Sequence, residues 1–325
     1  MKNKKSIRIA FGIALGIILS ISLIMQNNLP AKPKKQGRFV AIADNSNDAA
    51  YSDDGIKWKA ATLPAEADWN DVCYGNGKFI AVATFEYKAA YSDDGIKWKD
   101  ATMSDEARWY KLCYGNGKFV ATPCIYSDEV AYSYDGFSWT WTKLPKRNLW
   151  QSICYGNGKF VVAAGLYELT PGSDKAAYST DGINWEETTT PYGDWIDICY
   201  GNGKFASIIW DTKISNRAAY STDGIKWVET VLPAALWWQK VSYGNGKFAA
   251  VSYNSNVAAY STDGIKWKKT TIPYGNWSGL CYGNGKFIAI AEYSNKAAYS
   301  TDGVNWKEAT LPKNARWQTV CYGVD

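Results

Sequence analysis

The chain has 325 residues, of which 46% are hydrophobic and 15% aromatic, and this composition excludes a disordered chain. It contains no histidine, which excludes Ser-His-Asp and Cys-His catalysis and histidine-liganded zinc. The net charge of +5 arises at the N-terminus, because residues 1 to 38 hold eight Lys or Arg and no acid. The remainder has 28 basic and 31 acidic residues, a net charge of −3, so we expect no nucleic-acid partner.

The N-terminus predicts a membrane or export segment. Lysines and Arg8 precede an uncharged apolar run from Ile9 to Met25, which is typical of a signal peptide or signal anchor within residues 1 to 25. The residues that follow lack a small-residue cleavage site, which favours one retained hydrophobic helix over a cleaved peptide. Residues 26 to 36 predict a short stalk. We therefore expect a single-pass protein of the cell membrane with its remaining chain outside the cell, or a secreted protein if the segment is cleaved.

An internal repeat fills the rest of the chain. The phrase Tyr-Ser-x-Asp-Gly-x-x-Trp occurs seven times, at intervals of 40, 41, 46, 42, 40 and 39 residues. A second phrase, Tyr-Gly-Asn-Gly-Lys-Phe, occurs in six whole copies. Its seventh copy is split, with Tyr322-Gly323 near one end of the chain and Gly37-Arg38-Phe39 at the start of the repeat region. Repeats of this length are typical of propellers and related arrays.

Each repeat predicts four short strands, which we name a, b, c and d. In one whole unit these are 69–74, 78–83, 89–92 and 97–101, all rich in apolar, aromatic or β-branched residues. Asn76-Gly77 favours a type I′ hairpin turn between a and b, and Asp94-Gly95 favours a turn between c and d.

The split copy predicts how the repeats close. Strand a at 317–322 would complete a blade whose b, c and d strands start at Phe39. We therefore predict that residues 37 to 325 form an all-β fold, a closed seven-bladed β-propeller with four antiparallel strands per blade. Its ring would close by pairing of the C-terminal strand with the N-terminal strands.

The turn between strands c and d carries a resemblance to a known family. Ser52-Asp53-Asp54-Gly55-Ile56-Lys57-Trp58 and its six counterparts resemble the Asp-box, or BNR-like, repeat of β-propellers such as sialidases, sortilin-type receptors and photosystem assembly factors. The copies here have one residue fewer between Asp and Gly than the family's box. The resemblance covers residues 37 to 325 and implies the propeller architecture, whereas many unrelated functions occur on such a fold.

The two faces of the predicted propeller differ. The a–b and c–d turns would form a bottom face that is nearly identical in all units, while the b–c and d–a loops at the top vary in length and chemistry. A repeating bottom with a variable top favours a binding surface at the top, although unconstrained loops would give the same pattern.

A ring of tryptophans provides the candidate binding site. One tryptophan is predicted at the top of strand a in each unit, beside hydrogen-bonding residues such as Arg108, Arg316 and Asp194. These indoles either pack between blades or offer flat platforms around the channel mouth to sugar rings or aromatic side chains. The ring comprises Trp69, Trp109, Trp150, Trp195, Trp237, Trp277 and Trp317.

Other motifs favour structural roles. Six cysteines share one position in strand a and are too far apart across packed sheets for disulfides, while Cys124 lies in a top loop as a free thiol. Asp53 and Asp54 recur at every c–d turn, where Asp bonds its own backbone, so we expect no metal and no cofactor. The Gly-rich phrase is followed by no helix, so it does not predict a phosphate site.

Two classes of function stay open. The first is an extracytoplasmic, non-catalytic propeller that binds a protein or a cell-surface glycan through its top face, with the membrane contacted only by the N-terminal segment and an unknown oligomeric state. The alternative is a sialidase-like or other glycoside hydrolase. The resemblance to sialidases implies an arginine triad, a tyrosine nucleophile and an aspartate that acts as the acid. After the first blade, however, the repeats hold only four arginines and show no Phe-Arg-Ile-Pro segment. A carboxylate pair would have to come from the acids of the top loops, namely Glu86, Asp105, Glu106, Asp128, Glu129, Glu168 and Asp194.

Overall fold

A computed structural model describes residues 37–85, 88–102, 108–165, 172–210 and 214–324. The predicted anchor and stalk in residues 1–36 lie outside the described residues, so their boundaries stay predictions. The described residues contain strands and turns, and none of their segments is a helix that could cross a membrane.

The propeller is built from 28 strands, four in each blade. The a strands are β28 (Trp317–Gly323), β4 (Trp69–Gly75), β8 (Trp109–Gly115), β12 (Trp150–Gly156), β16 (Trp195–Gly201), β20 (Trp238–Gly244) and β24 (Trp277–Gly283). The b strands are β1 (Arg38–Ala43), β5 (Lys78–Ala83), β9 (Lys118–Pro123), β13 (Lys159–Ala164), β17 (Lys204–Ile209), β21 (Lys247–Ser252) and β25 (Lys286–Ala291).

The outer half of each blade is formed by the remaining strands. The c strands are β2 (Ser46–Ser52), β6 (Lys88–Ser92), β10 (Ser127–Ser133), β14 (Ser173–Ser179), β18 (Ser215–Ser221), β22 (Ser255–Ser261) and β26 (Ser294–Ser300). The d strands are β3 (Lys59–Ala67), β7 (Lys99–Thr102), β11 (Thr140–Asn148), β15 (Glu186–Gly193), β19 (Val228–Leu236), β23 (Lys268–Gly275) and β27 (Lys307–Ala315). We number the blades 1 to 7 in this order.

The predicted seven-bladed ring is confirmed. Blade 1 has the order β28-β1-β2-β3, and β28 pairs antiparallel with β1, with Val40 opposite Cys321. The other six blades each consist of four strands consecutive in the chain. Each a strand contacts the a strands of both neighbouring blades, including the contacts β24–β28 and β28–β4, so the a strands surround the central axis.

The repeated phrases form the two bottom turns. Asn76 and Gly77 have φ angles of 47° and 76°, as a type I′ turn requires. At the c–d turn of blade 1, the Asp54 carboxylate accepts hydrogen bonds of 2.8 Å from the backbone N–H groups of Ile56 and Lys57. The hydroxyl of Ser52 accepts a bond of 2.8 Å from the Gly55 N–H. These aspartates therefore stabilise the turn, as the sequence predicts.

The hydrophobic core consists of seven clusters, one between each pair of adjacent blades. Between blades 1 and 2, for example, Val40 and Ile42 pack against Trp69, Phe79 and Ala81. The tryptophan of each c–d turn packs, partly buried, against one of the clusters, which confirms its predicted position between blades.

Close contacts between tyrosine and glycine join the a strands near the bottom of the channel. A Cβ added to Gly201 would lie 1.9 Å from Cγ of Tyr243 in the next blade. The same contact recurs between every pair of neighbouring blades, and the contact of Gly323 with Tyr74 completes the ring. The repeated Tyr-Gly dipeptide is therefore explained by the close approach of neighbouring blades.

Candidate functional site

The strand-a tryptophans are buried between blades and do not line the channel mouth as platforms. Trp69, Trp109, Trp195 and Trp277 are 0% exposed, and Trp150 and Trp317 are 1% exposed. The indole N–H of Trp195 donates to the carbonyl of Pro191 in the preceding d strand at 2.7 Å. The prediction that these six residues are ligand platforms is therefore wrong. They are core residues, because an indole at this position fills the gap between two sheets.

The prediction for the seventh tryptophan, Trp237, is wrong by one residue. The structure places Trp238 in the strand-a position, 0% exposed, with its indole N–H donating to the Ala234 carbonyl at 3.0 Å. Trp237 instead lies one residue earlier, at the channel mouth, and is 37% exposed. The distance to the repeated tyrosine is the signal that identifies the correct tryptophan, since Tyr74 lies five positions after Trp69 and Tyr243 lies five positions after Trp238.

Seven equivalent backbone hydrogen bonds build the channel mouth. In each blade the residue after strand b donates its N–H to the carbonyl of the residue before strand a, over 2.7 to 3.0 Å. Each bond holds two residues of variable type at the top of the channel. The pairs, donor first, are Asp44–Arg316, Thr84–Asp68, Cys124–Arg108, Gly165–Leu149, Trp210–Asp194, Tyr253–Trp237 and Glu292–Asn276.

The predicted site residue Arg316 joins blades 7 and 1 at this mouth. Its guanidinium lies 2.7 Å from the carboxylates of both Asp44 and Glu292, and 5.5 Å from the ring centre of Tyr293. Burial raises the pKa of Asp44 although the charge of Arg316 opposes this shift. Burial and the negative charge of Glu292 raise the pKa of Tyr253.

Arg108 and Trp237 make equivalent contacts between other blades. The Arg108 guanidinium lies 6.0 Å from the ring centre of Phe85 in the preceding blade. Trp237 stacks on Trp210 of the preceding blade, with ring centres 6.3 Å apart and planes inclined by 22°. The residue before strand a therefore reaches the b–c loop of the preceding blade at three places around the mouth.

A β-bulge at the top of every a strand supplies the next layer of the channel. In blade 2, Trp69 pairs with Ala83 and Asp71 pairs with Val82, so the residue between them has no partner of its own. Such bulges redirect side chains. The seven bulge residues are Asn70, Tyr110, Gln151, Ile196, Gln239, Ser278 and Gln318.

These layers enclose a cavity of about 350 Å³ at the channel mouth, which we call the mouth cavity. Six bulge residues line it, together with the predicted site residues Asp194 and Arg316 and with Trp210, Tyr253 and Glu292. Lys111 and Lys240 lie at its lower end, where they also line a second cavity of about 160 Å³. Asp194 is 5% exposed, whereas Arg108 is exposed and does not line the cavity.

The residues after the bulges form a charged ring inside the channel. Asp197 accepts a hydrogen bond of 2.8 Å from the Val241 N–H and lies 3.8 Å from the ammonium of Lys240. Burial raises the pKa of Asp197 and lowers that of Lys240, and the charge of Lys111 lowers the pKa of Lys240 further. The seven positions of the ring are Asp71, Lys111, Ser152, Asp197, Lys240, Gly279 and Thr319.

The sequence prediction missed most of these residues. Between each strand-a tryptophan and the following Tyr-Gly, the first two positions differ from unit to unit, while the cysteine or serine, tyrosine and glycine scarcely vary. Variation inside an otherwise uniform strand is the signal that would have identified the cavity lining.

Exposed apolar side chains concentrate on the top face. Thirteen large hydrophobic side chains of the described residues are exposed, and eight of them lie in the b–c and d–a connections or at the top end of a d strand. Those eight are Phe85, Ile125, Tyr126, Tyr192, Ile214, Trp237, Tyr274 and Tyr293.

The cysteines and acids give no metal site in the described part of the chain, where no three potential ligands come together. All seven cysteines are free thiols, in agreement with the expected absence of disulfides. Burial raises the pKa of each strand-a thiol, for example Cys281. Among the acids proposed for a carboxylate pair, Glu86, Asp105, Glu106 and Glu168 lie outside the described residues.

Comparison with known proteins shows the fold. No family model and no curated protein matches the chain, so the resemblance to Asp-box propellers stays a prediction. A streptogramin B lyase structure is 13% identical with a TM-score of 0.66, covering 90% of this chain and 100% of that chain. A virginiamycin B lyase from Staphylococcus aureus is 15% identical with a TM-score of 0.64, over 87% of this chain and 98% of that one. YCF48 bound to D1 peptide is 12% identical with a TM-score of 0.60, over 78% and 85%.

Proposed function

We propose that this chain is a non-catalytic propeller outside the cell membrane that binds another protein through its top face. The observation that carries the proposal is the concentration of exposed aromatic and aliphatic side chains on that face, around the mouth cavity. Isolated exposed hydrophobic residues are ordinary, whereas a group of them on one face is typical of an interaction surface.

The chemistry of the top face suits a protein partner. Cationic side chains accompany its aromatic rings, since Arg147 lies 5.7 Å from the ring centre of Tyr126 and Lys296 lies 5.9 Å from that of Tyr274. Tyrosine, tryptophan and arginine are enriched in protein interfaces, where they supply much of the binding energy.

The remaining support comes from the tryptophans and from one comparison. A glycan site needs flat exposed rings, and the burial of the strand-a indoles removes the platforms on which the glycan hypothesis depended. YCF48, which shares this fold, is described as bound to a D1 peptide. The location outside the membrane rests on the basic and apolar residues 1 to 25.

Site-specific photo-cross-linking in cells that produce the protein tests this proposal. The photoreactive p-benzoylphenylalanine replaces Tyr293 on the top face, and in a matched control it replaces Tyr134 on the bottom face. These tyrosines are 62% and 58% exposed, so the two probes are equally accessible. We expect one defined polypeptide adduct from position 293 and none from position 134.

Three results would contradict the proposal. They are equal adducts from both faces, an adduct from position 134 alone, and no polypeptide adduct from either position; in the last case, binding of the purified chain to a glycan array would identify a glycan as the ligand. Protease treatment of intact cells tests the location, because a propeller outside the membrane would be digested while cytoplasmic proteins survive.

A glycoside hydrolase is the second candidate function. The observation in its favour is the group formed by Asp44, Glu292, Arg316 and Tyr253 at the mouth, where burial raises the pKa of Asp44. A carboxyl group with a raised pKa can serve as a general acid. Hydrolysis of sialosides or aryl glycosides that Asp44→Asn abolishes would favour this candidate over the binding protein.

A further inference from the structure

Lys111 has an unusual position for a lysine. The residue is only 8% exposed, and it lines both the mouth cavity and the smaller cavity beneath it. Its ammonium lies 4.9 Å from the ring centre of Tyr110. Among the described residues, no carboxylate lies within 4.0 Å of this ammonium and no acceptor forms a hydrogen bond with it. A buried charge of this kind is costly unless a partner compensates it.

The nearby acids are already engaged by other groups. Asp71 accepts hydrogen bonds from the Leu112 N–H at 2.8 Å and from the Thr319 hydroxyl at 3.2 Å. Asp197 is held by the Val241 N–H and by Lys240.

At the mouth, Glu292 and Asp44 share Arg316. Asp194 has a partner of its own as well. Lys111 is therefore the cation of the cavity lining that has neither a carboxylate within 4.0 Å nor a hydrogen-bond acceptor among the described residues, and the charge of Asp197 acts on it only from a greater distance.

We propose that the mouth cavity binds a carboxylate group of the partner polypeptide, with Lys111 as its counter-ion. This inference rests on the proposed binding of a protein at the top face. The carboxylate is either the C-terminus of the partner or the side chain of an Asp or Glu. Gln239 and Gln318 line the same cavity, and their amide N–H groups can donate to the second carboxylate oxygen.

Charge and size favour a carboxylate over a phosphate. The charged side chains that line the mouth cavity are Lys111, Lys240, Arg316, Asp194 and Glu292, with a net charge of +1. One carboxylate neutralises this charge, whereas a phosphate dianion would add a second negative charge close to Asp71 and Asp197. A cavity of about 350 Å³ accommodates one side chain or the end of one chain. Trp210 and Tyr253 line its wall and can pack against the rest of the bound residue.

Calorimetric titration of the full chain with three matched peptides tests the assignment. The peptides are acetyl-Gly-Gly-Phe with a free C-terminus, the same peptide as its C-terminal amide, and acetyl-Gly-Gly-Glu-amide. We expect at least one of the two acids to bind about tenfold or more tightly than the neutral amide. Preference for the first acid identifies a C-terminus, and preference for the second identifies an acidic side chain.

Variants then locate the carboxylate. Lys111→Met keeps the length of the side chain and should reduce the affinity for the acid to that for the amide, while Lys111→Arg should retain the preference for the acid. Lys269→Met, which removes an exposed lysine of β23, is the matched control and should change nothing. Thermal unfolding of each variant checks that the propeller is intact. If Lys111→Met does not fold, the inference stands when Lys111→Arg retains the preference for the acid and falls when Lys111→Arg binds acid and amide equally.

Several outcomes would overturn the inference. They are equal affinity for the acid and amide peptides, an unchanged preference in Lys111→Met, tighter binding of inorganic phosphate, and no binding of any peptide. These failures are distinguishable from failure of the proposed function, because a top-face adduct from position 293 that persists in Lys111→Met would leave protein binding intact without the carboxylate.

Discussion

The guanidinium of Arg38 donates a hydrogen bond of 2.6 Å to the backbone carbonyl of Asp94 in the neighbouring blade, and it lies 2.8 Å from the carboxylate of Asp53 in its own blade. In the other six blades an asparagine of the a–b turn bridges the equivalent gap, over 3.0 to 3.4 Å. The six bonds are Asn76–Tyr134, Asn116–Thr180, Asn157–Thr222, Asn202–Thr262, Asn245–Thr301 and Asn284–Asp53. Arg38 therefore supplies at the split blade the contact that asparagine supplies elsewhere.

Replacing Arg38 with alanine should weaken the junction between blades 1 and 2. The arginine side chain is 19% exposed, so loss of its charged hydrogen bonds should lower the free energy of unfolding by about 1–3 kcal/mol. Urea denaturation measures the change. Lys286→Ala is the matched control, because Lys286 begins strand β25 just as Arg38 begins β1 but forms no hydrogen bond or ion pair with the described residues. Equal destabilisation by both variants would show that Arg38 has no special role.

A methyl group at Gly201 should force adjacent blades apart. The added Cβ would lie 1.9 Å from the ring of Tyr243, so Gly201→Ala should destabilise the propeller by about 1–3 kcal/mol through overpacking. Thermal unfolding measures this loss. In the double variant with Tyr243→Ala, the clash is absent and the two effects should not be additive. Additive losses would argue against the contact.

Truncation of a buried tryptophan should reduce stability, whereas truncation of an exposed one should mainly reduce binding. Trp150 is 1% exposed and fills a core cluster, so Trp150→Ala should cost about 3–5 kcal/mol of stability. Trp237→Ala should cost much less, because the ring is 37% exposed at the mouth, but it should reduce cross-linking of the partner from position 293. Chemical denaturation of the two variants separates these expectations. A stable Trp150→Ala would contradict the core role.

The c–d turns should make stability depend on acidic pH. Partial burial alone would raise the pKa of Asp181, but hydrogen bonds from the N–H groups of Asn184 and Ile183 outweigh it and lower the pKa below the ordinary value of 3.8. The folded state therefore gains stability above pH 3.8 and loses it as the pH falls through the lowered pKa. Asp181→Asn should be less stable than the wild type at pH 7, and the difference should shrink below pH 3.8. Urea unfolding midpoints at several pH values would reveal a constant difference if the idea is wrong.

The cysteines should react at two distinct rates with Ellman's reagent. Burial raises the pKa of the strand-a thiols, including Cys73 and Cys154, well above the ordinary value, so few are thiolates at pH 8. Burial raises the pKa of Cys124 too, but the charge of Arg108 opposes the shift. We expect one faster thiol, which Cys124→Ser removes, and reaction of all seven in urea. Rapid reaction of several thiols in the folded protein would contradict the burial of the strand-a set.

The repeating part of the fold was predictable from sequence because it depends on local chemistry. The turn between strands a and b requires two positive φ angles, which Asn76-Gly77 tolerates and few other dipeptides do. The recurring Ser-x-Asp-Gly stabilises the c–d turn through hydrogen bonds between residues close together in the chain. The split copy predicted that the C-terminal strand pairs with the strand that starts at Phe39, and the two strands do pair, with Phe39 opposite Tyr322.

The site was less predictable because it depends on distances between blades. No local pattern shows that Trp150 points between sheets while Gln151, the bulge residue after it, lines the cavity. The ion pair of Asp197 with Lys240 joins residues 43 positions apart, from adjacent blades. Arg316 and Asp194 could be predicted as site residues because each directly precedes the tryptophan that recurs in every repeat unit. Lys111 lies two residues after that tryptophan and was missed.

The placement of the core between sheets determines how the protein should unfold. Every blade contributes apolar surface to two clusters, so the loss of one blade would expose the facing surfaces of both neighbours to water. A partly opened ring would thus be less favourable than either the intact or the fully unfolded chain. Although the sequence is modular, the seven modules should melt together in one cooperative transition.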